Sequence, residues 1–168
     1  AQSKAISAKG NITFNGGSTT ANLSGAAVLT ASGSGYDPSY STAIKTDASV
    51  IINSGTFNLN LASTASGGKG ISADQNITIN GGTINIITAG SGTTYTNTSG
   101  VLDSYSAAAI TADLNLEITG GSITTTSSGS GGKGLKADGT VTIGTTTGSP
   151  TLNITTTGAR FLVSGTDY

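Results

Sequence analysis

The feature that most restricts the fold is a short apolar strand that returns along the chain. It reads Lys4-Ala5-Ile6-Ser7-Ala8, Ala43-Ile44-Lys45, Lys69-Gly70-Ile71-Ser72-Ala73, Ala109-Ile110-Thr111-Ala112 and Lys133-Gly134-Leu135-Lys136-Ala137, with a sixth copy opening at Arg160-Phe161-Leu162. The key aliphatics Ile6, Ile44, Ile71, Ile110, Leu135 and Leu162 lie 38, 27, 39, 25 and 27 positions apart. Recurrence at such a period marks an array of supersecondary units.

The third unit shows the pattern most fully. After Asp74 come Asn76-Ile77-Thr78-Ile79-Asn80, then Gly81-Gly82, then Thr83-Ile84-Asn85-Ile86. Alternation with period two puts Ile71, Ala73, Ile77, Ile79, Ile84 and Ile86 inside and Ser72, Thr78 and Asn85 outside. Val50, Ile52, Phe57 and Leu59 repeat the inward set in the second unit, and Leu116, Ile118 and Ile123 in the fourth. One unit cannot bury three inward faces alone, so units must stack at roughly 4.8 Å and share aliphatic ladders. The expectation is an all-β solenoid, a parallel β-helix of about five coils with three short strands each. Residues 1–168 form one such domain or a segment of a longer solenoid.

Gly16-Gly17, Gly81-Gly82 and Gly120-Gly121, with Ser54-Gly55 in the same slot, fit a turn that requires positive φ. An antiparallel sandwich would also show short alternating strands, but recurrence at fixed positions argues against it. No segment carries a 3.6-residue apolar stripe, so no helix is expected.

Composition limits function by subtraction. Cys, His, Met and Trp are absent, which removes thiol chemistry, histidine acid/base catalysis and the usual zinc and haem ligands. A net charge of -1 with seven scattered basic residues gives no footprint for nucleic acid or an anionic membrane. No apolar run approaches the roughly 20 residues of a membrane span, and Ala1-Gln2-Ser3-Lys4 lacks a signal peptide's apolar core. If secreted, this is the mature part.

Aligned units place Asp47, Asp74, Asp113 and Asp138 at one corner, each three residues after its key aliphatic, with Lys9 in the first unit's slot. Each could hydrogen-bond its own turn, or the column could hold calcium, which takes several oxygen ligands. Carboxylates about 5 Å apart in water repel by only roughly 0.8 kcal/mol, so a metal is not obligatory.

The first and third units are lengthened by insertions that hold four of the five tyrosines: Tyr36, Tyr40, Tyr95 and Tyr105. Two coils apart, equivalent positions lie roughly 9.6 Å from each other, so the insertions would form a ridge. Tyrosines there either pack the loops onto the prism or stack on the apolar faces of sugar rings, with Asp, Ser and Asn taking hydroxyls. Lys4, Lys69 and Lys133 recur on alternate units; they are solvated turn residues or a basic column suited to acidic sugar polymers. The ridge-and-column reading makes the chain a polysaccharide binder through Tyr36, Tyr40, Tyr95, Tyr105, Lys69 and Lys133.

Other patterns carry less. An ice-binding threonine array fails on the column Thr13, Ile51, Thr78, Glu117, Thr142, which is interrupted twice. Asn-x-Ser/Thr triplets such as Asn76-Ile77-Thr78 fall on expected strands and read as structural. Nothing distinguishes an Asp-Glu117 pair for glycoside hydrolysis, so no enzyme is expected.

The run Lys69-Gly70-Ile71-Ser72-Ala73-Asp74-Gln75-Asn76-Ile77-Thr78-Ile79-Asn80-Gly81-Gly82, echoed at residues 133–143, resembles the carbohydrate-binding parallel β-helix proteins of cellulolytic clostridia and gut bacteria. That resemblance implies a right-handed helix like that of pectate lyases, bound calcium at Asp47, Asp74, Asp113 and Asp138, and binding of cellulose and acidic sugars without cleavage. It also implies an extracellular or cell-surface protein. The competing expectation is a structural one. Lys4-Ala5-Ile6 and Arg160-Phe161-Leu162 bound the chain in nearly the same phase, so copies could self-associate end to end into a fibre.

Overall fold

A computed structural model describes residues 3–159, 162–163 and 166–167. Every element is a strand. The first repeat contains β1 (Lys4–Ala8), β2 (Ile12–Leu23), β3 (Val28–Ser32) and β4 (Gly35–Ser39). The second is β5 (Thr42–Thr46) and β6 (Val50–Leu61). The third is β7 (Lys69–Ala73), β8 (Ile77–Ile79), β9 (Thr83–Thr88), β10 (Thr93–Thr96) and β11 (Leu102–Tyr105). The fourth is β12 (Ala108–Ala112), β13 (Leu116–Ile118) and β14 (Ser122–Ser127); the fifth is β15 (Lys133–Ala137), β16 (Val141–Ile143) and β17 (Thr151–Thr156). Arg160 and Phe161 of the expected sixth copy lie outside the described residues, while β18 (Leu162–Val163) pairs antiparallel with β19 (Thr166–Asp167). No described segment is a helix long and apolar enough to cross a membrane.

The two large sheets are parallel and stack from repeat to repeat in matching register, which gives the chain a solenoid-like architecture. In the first sheet the order is β1-β5-β7-β12-β15, and Ile6, Ile44, Ile71, Ile110 and Leu135 stand opposite one another. The second sheet joins two faces through the long β6: Val50–Ile52 pairs with β8, and Thr56–Leu61 pairs with β9. A parallel ladder demands that each repeat donate to the one before it, and the aliphatic column is what fixes that register. A slip by one residue would turn every Ile outward.

The core is the stack of these inward columns. Ile44, Ile52, Phe57, Ile71, Ile77, Ile79, Ile84, Ile110, Leu116, Ile118 and Ile123 are all completely buried. Phe14 meets Phe57 edge to face at 4.9 Å between centroids, a favoured aromatic geometry. The first sheet and the β9-β14-β17 face meet back to back, since a Cβ added to Gly70 would strike Ile86 and one added to Gly134 would strike Ile154. Glycine is therefore required there by space.

At the corner between β8 and β9 the glycine reading also holds. Gly17, Gly55, Gly82 and Gly121 have φ of 85°, 122°, 95° and 89°, and an added Cβ on Gly82 would approach the Gly55 carbonyl to 2.8 Å. Beside it runs an exposed amide ladder in which Asn53 Nδ2 donates to Asn15 at 2.7 Å, Asn80 Nδ2 to Asn53 at 2.8 Å, and Thr119 Oγ1 to Asn80 at 2.9 Å.

The outward side of the β2-β6-β9-β14-β17 face is an array of three columns. They are Ser18-Thr56-Thr83-Ser122-Thr151, Thr20-Asn58-Asn85-Thr124-Asn153 and Asn22-Asn60-Ile87-Thr126-Thr155. The interrupted column Thr13-Ile51-Thr78-Glu117-Thr142 does form, on the β8-β13-β16 face. The uncharged array thus lies on the β9-β14 face and not on the face of the interrupted threonine column.

Candidate functional site

Both insertions fold as antiparallel hairpins, β3-β4 and β10-β11, in place of the expected loops. Each returns a chain whose direction must be restored before the next parallel strand, so a hairpin lengthens the repeat without disturbing the stack. Tyr36 bridges to Asn97, and Ser34 N donates to Thr98 O at 2.9 Å, so the hairpins support each other. Together they flank the outward side of the first sheet.

Tyr40, Tyr95 and Tyr105 gather where the hairpins meet that sheet. The Tyr40 and Tyr105 centroids lie 5.2 Å apart, and those of Tyr95 and Tyr105 lie 6.0 Å apart. This is closer than the two-coil spacing expected for a ridge, because the rings lean toward each other over Gly67. That glycine has φ +64°, and an added Cβ would come within 2.6 Å of Tyr40 and 2.7 Å of Tyr105. Tyr36 does not join the cluster's ring contacts; it sits on β4 and is 44% exposed.

The lysines complete the arrangement. Lys69 Nζ lies 4.9 Å from the Tyr40 ring centroid and donates to Ser106 O at 2.9 Å, while Lys133 Nζ donates to Ser106 Oγ at 2.7 Å. Burial, with the charges of Lys133 and Lys136 adding to it, lowers Lys69 from 10.5 to about 8. Burial and then Lys136 also lower Lys133. Tyr40 is pushed well above its ordinary value of 10.0, first by burial and then by neighbouring Tyr95 and Tyr105, and burial with Asp103 raises Tyr95. The Tyr40 and Tyr95 phenols stay neutral hydrogen-bonding groups across the ordinary pH range.

Two adjoining hollows of about 360 and about 340 Å³ open along this face and share Tyr40, Lys69 and Lys136 in their walls. The first also takes in Lys4, Lys45, Asp74 and Asp113, the second Asp103, Tyr105 and Lys133. Lys4, Lys69 and Lys133 occupy one register column with Thr42 and Ala108 between them. Lys45 and Lys136, which the sequence reading passed over, share the column with Ser72 and Thr111 immediately after the key aliphatics. Their position one step beyond an inward residue was the available signal.

The four aspartates do stack. The backbone N–H groups of Asp47, Asp74, Asp113 and Asp138 each donate to the carbonyl of the residue just before the same slot one repeat earlier, Ala8, Thr46, Ala73 and Ala112. Their side chains do not converge on a cation. Lys45 pairs with Asp74 and lies 4.0 Å from Asp47, and Lys136 pairs with Asp138. Among the described residues no three His, Cys, Asp or Glu side chains gather where an ion could sit. This donor set does not fit calcium, which needs several oxygens on one point; lysines stand against Asp47, Asp74 and Asp138 in its place.

A family model described as carbohydrate-binding domain-containing protein matches residues 61–158. That stretch holds β7 through β17, including Lys69, Tyr95, Tyr105 and Lys133. No curated protein and no solved structure matches the chain.

Proposed function

Because this chain belongs to the carbohydrate-binding domain-containing family, we propose that it binds an extended acidic polysaccharide, without cleaving it, in the groove between the tyrosine hairpins and the lysine-bearing sheet. The observation that carries this reading is the meeting of Tyr40, Tyr105, Lys69 and Lys133 at one place. Aromatic walls take the apolar faces of sugar rings, and a column of ammonium groups attracts uronate carboxylates in a partly desolvated groove where the attraction is less screened. Lys4, Lys69 and Lys133 have no carboxylate within 4.0 Å among the described residues, so a ligand carboxylate meets cations without an internal counter-ion. Tyr36 and Tyr95 extend the contact onto the hairpins.

In this reading the whole of residues 1–168 acts as one right-handed β-helix domain of about five coils, working outside the cell where polysaccharide is met. Native gels containing polygalacturonate, cellulose derivatives or neutral glucans test it, each with calcium and with a chelator. Polygalacturonate should retard the protein to the same degree in both. Equal migration in every gel would sink the reading.

A further inference from the structure

The geometry points to an oxidative coupling site in the tyrosine cluster: Tyr40 and Tyr105 join through a ring-to-ring carbon–carbon bond when hydrogen peroxide, acting through a haem peroxidase, oxidises the hairpins. Composition steers the oxidation there. Cys, Met, Trp and His are all absent, and thiols and thioethers are the groups that ordinarily take the first oxidising equivalents. Tyrosine is then the one readily oxidised side chain in the sequence. Of the five, Tyr40, Tyr95 and Tyr105 gather in one cluster, Tyr36 stands apart from these ring contacts, and Tyr168 lies outside the described residues.

Tyr105 is the hub of the cluster. Its ring lies 5.2 Å from that of Tyr40 with the planes at 59°, and 6.0 Å from that of Tyr95 with the planes at 41°. Gly67 leaves the space in which Tyr40 and Tyr105 lean together. All three tyrosines are half-buried, so the oxidant reaches rings whose positions the fold already holds. Burial keeps the Tyr40 and Tyr95 phenols protonated, and a neutral phenol must shed a proton as its electron leaves. Tyr95 Oη donates to Asp103 Oδ2 at 3.4 Å, across the β10-β11 pair. That carboxylate receives the proton, and the electron vacancy passes from Tyr95 to Tyr105 and Tyr40 through rings in contact.

The step balances without any further reagent. Tyr40 and Tyr105 each lose one electron and one proton, and the two radicals form a bond between ring carbons ortho to the hydroxyls. The hydrogens on those carbons then move to the oxygens and restore both phenols. The two hydrogens lost reduce one hydrogen peroxide to two waters. Tyr40 stands between β4 and β5, and Tyr105 ends β11, so the bond closes a loop that contains the second repeat and most of the third. A cross-link over so long a loop restricts the unfolded chain, and it staples both insertions in a chain that has no cysteine. This chemistry goes beyond the groove reading and needs no polysaccharide.

Peroxidase and hydrogen peroxide added to the protein alone test the site, with the products resolved on a denaturing gel, digested and weighed. Neighbouring rings meet at an effective concentration on the order of millimolar, so at about 10 μM protein the intramolecular link should exceed links between molecules by about a hundredfold. The expected product is a monomer in which the Tyr40 and Tyr105 peptides are joined, two hydrogens lighter than their sum. Tyr105→Phe keeps the ring but removes the phenol, and should lose this product about a hundredfold while remaining folded by circular dichroism. The linked monomer should also unfold at a higher urea concentration than the unlinked one. Tyrosines left unlinked, dimers joined through Tyr36, a monomer linked at any other pair, or a linked monomer with an unchanged urea midpoint would overturn the proposal.

Discussion

Lys69 reaches over the Tyr40 ring at 4.9 Å with its amine tied to the Ser106 carbonyl. The contact draws a cation out of water and fastens the sheet to the hairpin beside it. A desolvated ammonium ion is easier to deprotonate, which is why Lys69 falls from 10.5 to about 8.

Binding of an acidic polysaccharide should therefore weaken as pH rises through about 8, where Lys69 sheds its charge. Ordinary lysines hold theirs to roughly 10.4. Retardation by polygalacturonate compared at about pH 7 and about pH 9.5 checks this, and an unchanged retardation would take Lys69 out of the contact.

The same lowering has a consequence for stability with the opposite sense. Between about 8 and 10.5 the unfolded chain binds the Lys69 proton and the folded chain does not, so stability rises with pH in that window. Tyr40, raised above 10.0 by burial, opposes the rise only beyond its ordinary value. Urea midpoints at about pH 8 and about pH 9.5 should increase in the unaltered protein and increase less in Lys69→Met.

Gly67→Ala should cost about 1 to 2 kcal/mol from its left-handed backbone alone. Its Cβ would also push Tyr40 and Tyr105 apart. Loss of polygalacturonate binding at a temperature where circular dichroism still reports folded protein would tie those rings to recognition; retained binding would make them hairpin anchors only.

Melting should be the same with calcium and with chelator, because Lys45 and Lys136 already stand against the carboxylates. Lys45→Ala should lower stability by less than about 1 kcal/mol, as expected for a pair near the surface. A calcium-dependent rise in melting temperature in the unaltered protein would show that the aspartates rearrange around an ion.

Ile71→Ala should destabilise by about 2 to 5 kcal/mol, since the side chain is wholly buried between Ile44 and Ile110. Ile87→Thr, on the outward array and 48% exposed, should change stability by less than about 0.5 kcal/mol. Chemical denaturation of the two variants side by side makes the comparison.

The contrast between Ile71 and Ile87 also shows what was legible in the sequence. Ile71 reads as inward because Ile44 and Ile110 hold the same slot in the neighbouring repeats, and repetition makes one register far better than any other. Lys45 and Lys136 had no such signature: each follows an inward aliphatic, but their partners Asp74 and Asp138 are fixed by how side chains turn across the corner. The hairpins were missed for a related reason. Val28-Leu29 and Leu102 do not alternate over a long run, and the pairing of Tyr36 with Asn97 depends on two insertions meeting in space.

The long spacings of 38 and 39 residues and the short ones of 27 and 25 now have a concrete meaning. The first and third repeats each detour through a hairpin at the same corner, between Leu23 and Thr42 and between Thr88 and Ala108, while Leu61 to Lys69 and Ser127 to Lys133 pass that corner by a short turn. Neither hairpin contributes a residue to the aliphatic columns. Hairpins and stack are thus separable inheritances: hairpins can be exchanged, lengthened or deleted at this corner while the stack keeps its register.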